Sequence, residues 1–385
     1  MPGSIRIGRF GRTEIAIHVT FLPMLVWAAW IGSVQYGGLN GGIFGVAAVI
    51  LLFVCVFFHE MAHAIYARVY GVEVTNIVLL PIGGLATLEA TAMRPRDEAM
   101  IALAGPLANL GITVVLGLML TLGSMFHLMD ANELFRRSTQ DPSLPSLIAY
   151  LALANLTLAV FNLLPAFPLD GGLILRALLG RRMSYAAATH RAAIVGRSMG
   201  AGSITVGITM VLIGMPIYGG TVVLVAVMLY AGATYEDRVV QQNAALRATT
   251  VGEVLRVNIQ TVAPNDSLSV ALSSVIKGRV VPVVVGDQPR LVGLLTPNEL
   301  RRLPRHGPTS ELSVAHVMRT GYPTVKPGDL LWVAYDRMRR SQLAAIPVVS
   351  QDTLHGLVTM GDVHRVLRSG FTGEVQPPIR SITGN

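Results

Sequence analysis

Six long apolar stretches, near residues 15–34, 41–67, 98–127, 146–165, 190–214 and 217–235, leave this chain few ways to fold. Each approaches the roughly 20 residues that a helix needs to cross a bilayer. Inside lipid a single segment must satisfy its own backbone hydrogen bonds, so each stretch reads as a helix. Only 14% of the 385 residues are charged, against about 25% in an ordinary soluble domain. The class that follows is a polytopic α-helical membrane protein with about six transmembrane helices. The first stretch follows Arg6, Arg9 and Arg12 and is longer than the apolar core of a cleaved signal, so it reads as a retained span.

Between the second and third stretches lies VEVTNIVLLPIGGLATLE, residues 72–89. It is rich in β-branched residues and punctuated by Pro81, Gly83 and Gly84, a composition for short strands at the membrane and not for a helix.

Arginines set the expected orientation. The link between the first two spans and the link between the last two carry none. Arg68, Arg94 and Arg96 follow span two, and Arg176, Arg181 and Arg182 follow span four. Basic residues favour the cytoplasmic side, which puts both termini in the cytoplasm of a cell-membrane protein. The third loop votes weakly, with Arg136 and Arg137 set against Asp130, Glu133 and Asp141. The net charge of +8 resides at the ends of apolar segments and not in one stripe, so no nucleic-acid partner is expected. The single cysteine, Cys55, excludes an intramolecular disulfide and reads as a small buried hydrophobe.

After about residue 240 charges return, apolar runs shorten to strand length, and the sequence repeats itself. Thr261, Val262, Pro264 and Asp266 recur as Thr324, Val325, Pro327 and Asp329, 63 residues on. The VPVVV and IPVVS runs are offset by 65, so a compensated insertion lies between them. Two tandem modules sharing a core are expected. The domain boundaries follow as 1–240 for the membrane part, 250–306 and 313–370 for the modules, and 371–385 for a terminal tail.

The chemistry is concentrated in HEMAH at the end of span two. His59 and His63 are four apart, so on a helix both imidazoles project from one face, as two ligands of one tetrahedral zinc must. Glu60 can reach a water at that metal without being a ligand, the position of a general base. Sixteen uncharged residues, Ile43–Phe58, precede the motif. An ionisable group at such depth costs about 2.5–3.5 kcal/mol on insertion scales and so carries a functional reason. A catalytic zinc also needs a third protein ligand. Asp170 ends another long uncharged stretch, after span four, and that span runs in the same direction as span two, so the aspartate and the histidines reach the same end of the bundle. Without zinc, Asp170 would be a turn residue before Gly171 and Gly172.

These residues resemble the site-2 protease family of intramembrane zinc metalloproteases. The resemblance rests on HEMAH, on Gly105-Pro-Leu-Ala-Asn109, on Asn162 through Asp170-Gly-Gly, and on the opening IHVTF around His18–Phe21, and covers about residues 5–235. It implies His59, His63 and Asp170 as ligands of one Zn2+ per chain and Glu60 as the catalytic base. It also implies Asn162 at the substrate carbonyl, and a membrane-inserted sheet onto which extended substrate docks by edge pairing. A bland alternative for Asn162 is a cap on the end of span four.

The tail resembles tandem CBS modules, a soluble α/β pair known as a Bateman unit. The resemblance implies an adenine nucleotide, ATP, ADP or AMP, held by a Thr-x-x-Asp pattern. The second module keeps that pattern as Thr359 and Asp362, whereas the first has Thr296 and Glu299. A homodimerisation module without ligand is the alternative.

For the whole chain the expectation is peptide-bond hydrolysis within single-pass membrane proteins, in the bilayer, modulated by nucleotide at the tail. A CBS-regulated transporter or channel is the competing reading. It would distribute ionisable residues over several spans and both faces, whereas here they converge at one end. A metal-free regulator on the same scaffold would have no use for both HEMAH and the Leu-Asp-Gly sequence.

Overall fold

The computed structural model describes residues 3–10, 13–80, 83–88, 93–125, 142–286, 289–301 and 312–372, which divide into two compact units, 1–237 and 238–385. The charged residues of the third loop, from Asp130 to Asp141, and the terminal residues beyond 372 lie outside the described residues, as does Pro81.

Among the described residues of the membrane unit, helices run Phe21–Tyr36 (α1), Gly38–Val69 (α2), Pro95–Met125 (α3), Leu144–Asn162 (α4), Asp170–Leu179 (α5), Tyr185–Leu212 (α6) and Pro216–Ala248 (α7), the last continuing into the tail unit. Five of them, α2, α3, α4, α6 and α7, are long and apolar enough to cross a membrane. Only 17–33% of their most apolar windows is buried by protein. Side chains such as Val114, Val115, Leu153, Leu212 and Ile217 are exposed and suit contact with lipid.

The first expected span is corrected by the structure. Residues 15–18 are not helical: they belong to strand β2, Thr13–His18, and the helix that follows has only 16 residues. At about 1.5 Å per residue that helix is near 24 Å long, short of a hydrocarbon core of about 30 Å. The alternation Ile15, Ala16, Ile17 favours a strand because a partner is present. Strand β2 pairs antiparallel with β1, Ser4–Phe10, and parallel with β3, Val74–Leu80, with Ile15 opposite Ile77. Strand β4, Gly83–Leu88, completes the order β1-β2-β3-β4 and forms one edge. The strands after span two are as expected; at the N-terminus β1 lies before the first apolar stretch, and only residues 15–18 of β2 fall within the run read as helix.

The sheet is tied to α2 by a shared core of Ala64, Ala67, Val72, Val74, Ile77 and Leu79. The Thr13 hydroxyl donates to the Val74 carbonyl at 2.6 Å and accepts from Arg68 at 2.7 Å. Since α2 carries HEMAH, this core fixes the sheet beside the candidate site.

The tail unit holds a four-stranded sheet of β5 (Val281–Val285), β6 (Arg290–Leu295), β7 (Ala345–Ser350) and β8 (Thr353–Thr359), in the order β5-β6-β8-β7. Helices Leu268–Ile276, Leu331–Ser341 and Met360–Thr372 pack against the sheet. The repeat is visible in the backbone. Val262 bridges Val283 in parallel and Val325 bridges Val348 likewise. Asp266 accepts from the Ala263 amide at 2.7 Å, and Asp329 from the Lys326 amide at 2.9 Å.

Candidate metal centre

His59 and His63 sit on consecutive turns of α2, with ring centroids 4.7 Å apart and planes at 83°. The helix alone places them on one face; a third element must close the site. That element is α5, whose first residue is Asp170. Span four ends earlier than the sequence suggests, at Asn162, and the segment 163–169 turns the chain before a separate short helix begins. Asp170 therefore opens a helix of its own.

His59 Nε2 lies 3.3 Å from Asp170 Oδ2, His63 Nε2 lies 3.4 Å from Asp170 Oδ1, and the two Nε2 atoms are 3.1 Å apart. Zinc donors about 2.0–2.1 Å from a tetrahedral ion are about 3.3–3.4 Å from one another, the same spacing within a few tenths of an ångström. Among the described residues, these three form the one group of histidine, cysteine and carboxylate side chains suited to a metal. His59 Nδ1 and Asp170 Oδ2 are buried without a hydrogen-bond partner. Buried polar atoms of this kind need compensation, and a cation among them supplies it for the carboxylate. The donor set fits zinc.

The surroundings orient the donors. His63 Nδ1 lies 2.7 Å from the Ile101 carbonyl on α3, so Nδ1–H donates there and the lone pair of Nε2 faces the cluster. Gly105, one turn further along α3, leaves space in which the two imidazoles lie: a Cβ there would stand 2.2 Å from His63 Nε2. Glu60, half-buried, accepts a hydrogen bond from the backbone of Gly84 in the edge strand β4. A Cβ on Gly84 would meet the Glu60 carboxyl carbon at 2.2 Å. Cys55 is buried and free, and is not part of the cluster.

Asn162 is the half-buried last residue of α4, at the entrance to the segment that leads to Asp170. Arg176 departs from its expected role as a solvent-facing topology signal. It is 5% exposed and paired with Glu98 of α3 and Glu236 of α7. Sequence reading missed this pairing, although Glu98 near the start of a long apolar segment was a visible signal. Ile101 was not visible at all, because the relevant atom is a backbone carbonyl.

The tail's candidate nucleotide residues are also differently placed. Asp362 is 1% exposed and both its oxygens are engaged: Arg256 donates to it at 2.7–3.0 Å, and Thr359 donates through its hydroxyl at 2.6 Å and its amide at 3.1 Å. A carboxylate open to ribose hydroxyls is therefore not what this conformation presents, because a guanidinium already occupies it. Thr296 and Glu299 are buried and bonded to each other in the first module. Arg319, the repeat counterpart of Arg256, donates to the Gly321 carbonyl at 2.7 Å.

The sequence matches known families and relatives. Residues 47–205 match the model of peptidase family M50, and residues 251–306 and 314–369 each match that of the CBS domain. A zinc metalloprotease of Methanocaldococcus jannaschii is 32% identical over 296 residues, covering 77% of this chain and 78% of that one. Rip3 of Mycobacterium tuberculosis is 26% identical over 382 residues, covering 95% and 93%. The solved structure of a site-2 protease from Methanocaldococcus jannaschii aligns with a TM-score of 0.43 at 33% identity, covering 61% of this chain and 95% of that one.

Proposed function

The chain belongs to peptidase family M50, and from that premise we propose that this multi-pass zinc metalloprotease cleaves single-pass membrane proteins within the bilayer. The observation that carries the reading is the convergence of His59, His63 and Asp170 at donor spacings of 3.1–3.4 Å beside Glu60 and at one end of apolar helices.

In this reading His59 and His63 would hold zinc through Nε2 and Asp170 through its carboxylate. The metal, when bound, supplies Lewis acidity, which polarises a peptide carbonyl and acidifies water near neutral pH. Glu60 takes the proton from the attacking water and passes it to the amine nitrogen of the leaving peptide. Its position next to His59 and beneath the Gly84 amide keeps the carboxylate at the reaction centre. Substrate must lie extended there, since a helical peptide bond is shielded by its own turns. Among the described residues β4 is an edge strand, which supports docking by strand addition, with backbone hydrogen bonds providing affinity independent of side chains. Asn162 is assigned to the substrate carbonyl, at the C-terminal end of α4.

The proposal places both termini in the cytoplasm. It treats the tail as a nucleotide-responsive regulator in which Arg256 must leave Asp362 before ribose can reach it, and through which two copies could pair.

The test is cleavage of a single-pass model substrate in detergent or liposomes. Glu60→Gln keeps the shape and cannot take the proton, so zinc content should persist while turnover falls by about 10²–10⁴. Near-parental cleavage by a zinc-loaded Glu60→Gln protein contradicts the assignment.

A further inference from the structure

We propose that Arg176 is the positioning residue that holds Asp170 at the metal centre, an inference that rests on reading His59, His63 and Asp170 as zinc ligands. The need for such a residue arises from the chain itself. Helix α5 has only 10 residues and is entered through the segment 163–169, which contains Pro165 and Pro168. Leu173, Leu175 and Leu179 of this helix pack against Phe167, Ala192, Ala193 and Ala233, but apolar contacts are non-directional and do not by themselves set where its first residue points.

Arg176 supplies that determination. Its Nε donates to Glu98 Oε1 on α3 at 2.9 Å, its Nη2 donates to the same oxygen, and its Nη1 donates to Glu236 Oε1 on α7 at 2.7 Å. The guanidinium carbon lies 4.6 Å from the ring centroid of Tyr185, at the start of α6, and 5.3 Å from that of Phe167. Phe167 is itself 1% exposed and belongs to the segment that delivers Asp170. One side chain thereby joins α5 to three helices and to its own entry segment.

The anchoring helix is the one that also fixes the histidines. Glu98 lies three residues before Ile101, whose carbonyl accepts from His63, and seven before Gly105, on which both imidazoles pack. Helix α3 is therefore a common frame: Ile101 and Gly105 set the two histidines, and Glu98, through Arg176, sets the aspartate. The chemistry of the pair suits this role. Desolvation offsets much of the attraction in a buried ion pair, so such pairs are poor sources of net stability. A planar guanidinium with several donors in a rigid fork nevertheless fixes orientation, which an apolar contact or an ammonium does not.

The experiment measures zinc affinity of the purified full chain by chelator competition, with melting temperatures of the metal-free and zinc-loaded forms. Arg176→Gln should weaken zinc binding about 10- to 100-fold, as loss of a supporting group behind a ligand does. The rise in melting temperature on adding zinc should shrink with it. Arg176→Lys keeps the charge without the fork and should recover only part of the affinity. A purely structural role would lower the metal-free melting temperature and leave the affinity of the folded protein within twofold of the parent, which overturns the proposal. Should Arg176→Gln not fold, Glu98→Gln and Glu236→Gln, each retaining an acceptor oxygen, are judged by the same criterion. A parent protein that binds no zinc would instead refute the ligand assignment.

Discussion

Gly105 and His63 are packed so closely that a Cβ added to the glycine would stand 2.2 Å from Nε2 of the histidine, and 2.6 Å from Nε2 of His59. The glycine of α3 thus shapes the donor cluster without contributing a donor. Gly105→Ala should displace both imidazoles and lower zinc affinity about 10- to 100-fold, although alanine suits a helix better than glycine by about 1 kcal/mol. Chelator competition measures it, and parental affinity in the alanine protein would show that the imidazoles are not held by this surface.

Asp170 stands at 3.3–3.4 Å from both histidine nitrogens and has a buried oxygen without a hydrogen-bond partner. Purified protein should contain about one zinc per chain, and His63→Ala or Asp170→Ala should remove most of it. Metal analysis decides between ligand and bystander: stoichiometric zinc at unchanged affinity in Asp170→Ala would take the aspartate out of the coordination sphere.

In the tail, burial alone would raise the Asp362 carboxyl, but hydrogen bonds from Arg256 and Thr359 outweigh it and hold the group below the ordinary aspartate range. A depressed carboxyl contributes stability in full above its unfolded value, about 3.9, and loses it as pH falls through the lower folded value. Acid unfolding of the tail should therefore steepen below about pH 4, and Asp362→Asn should flatten that limb. Fluorescence of Trp332, isolated by Trp27→Phe and Trp30→Phe, reports it; an unchanged acid limb would show the carboxylate to be uncoupled from folding.

The same contact makes a prediction about ligand. If an adenine nucleotide uses the second module, Arg256→Ala removes the guanidinium that covers Asp362, leaving the Thr359 bonds to Oδ2 and Arg365 at 3.3 Å from Oδ1, and should tighten ATP, ADP or AMP binding by about tenfold, the equivalent of one hydrogen bond to a charged group. Calorimetry on the full chain measures the change. Weaker or absent binding in that variant would mean that Arg256 is part of the site, or that the module pairs with protein and not nucleotide.

Orientation is accessible to labelling. With Cys55 replaced by Ser, cysteines at Asn40 and Tyr218, both exposed links between helices or their starts, should react with an impermeant reagent from outside the cell. One at Arg182 should react only after permeabilisation. The reverse pattern would move the metal centre to the outer face.

Much of this protein is determined by sequence alone, because lipid imposes a local rule. A long run without charge must be helical, and a pair of histidines four apart on such a helix must share a face. The five long apolar helices, the strands after α2, the repeat in the tail and the candidate triad were accordingly legible. Tertiary structure decided what depends on partners. Residues 15–18 are apolar enough for a helix, yet become a strand because β3 offers a parallel edge beside them. Arg176 resembles every other flanking arginine until Glu98 and Glu236 are brought to it from α3 and α7. The Ile101 carbonyl that orients His63 has no signature in sequence, since every residue carries one. Asp362 matches a ligand-binding pattern, but Arg256, 106 residues earlier, folds back onto it. In each case the deciding contact joins residues far apart in the chain, where periodicity and composition carry no information.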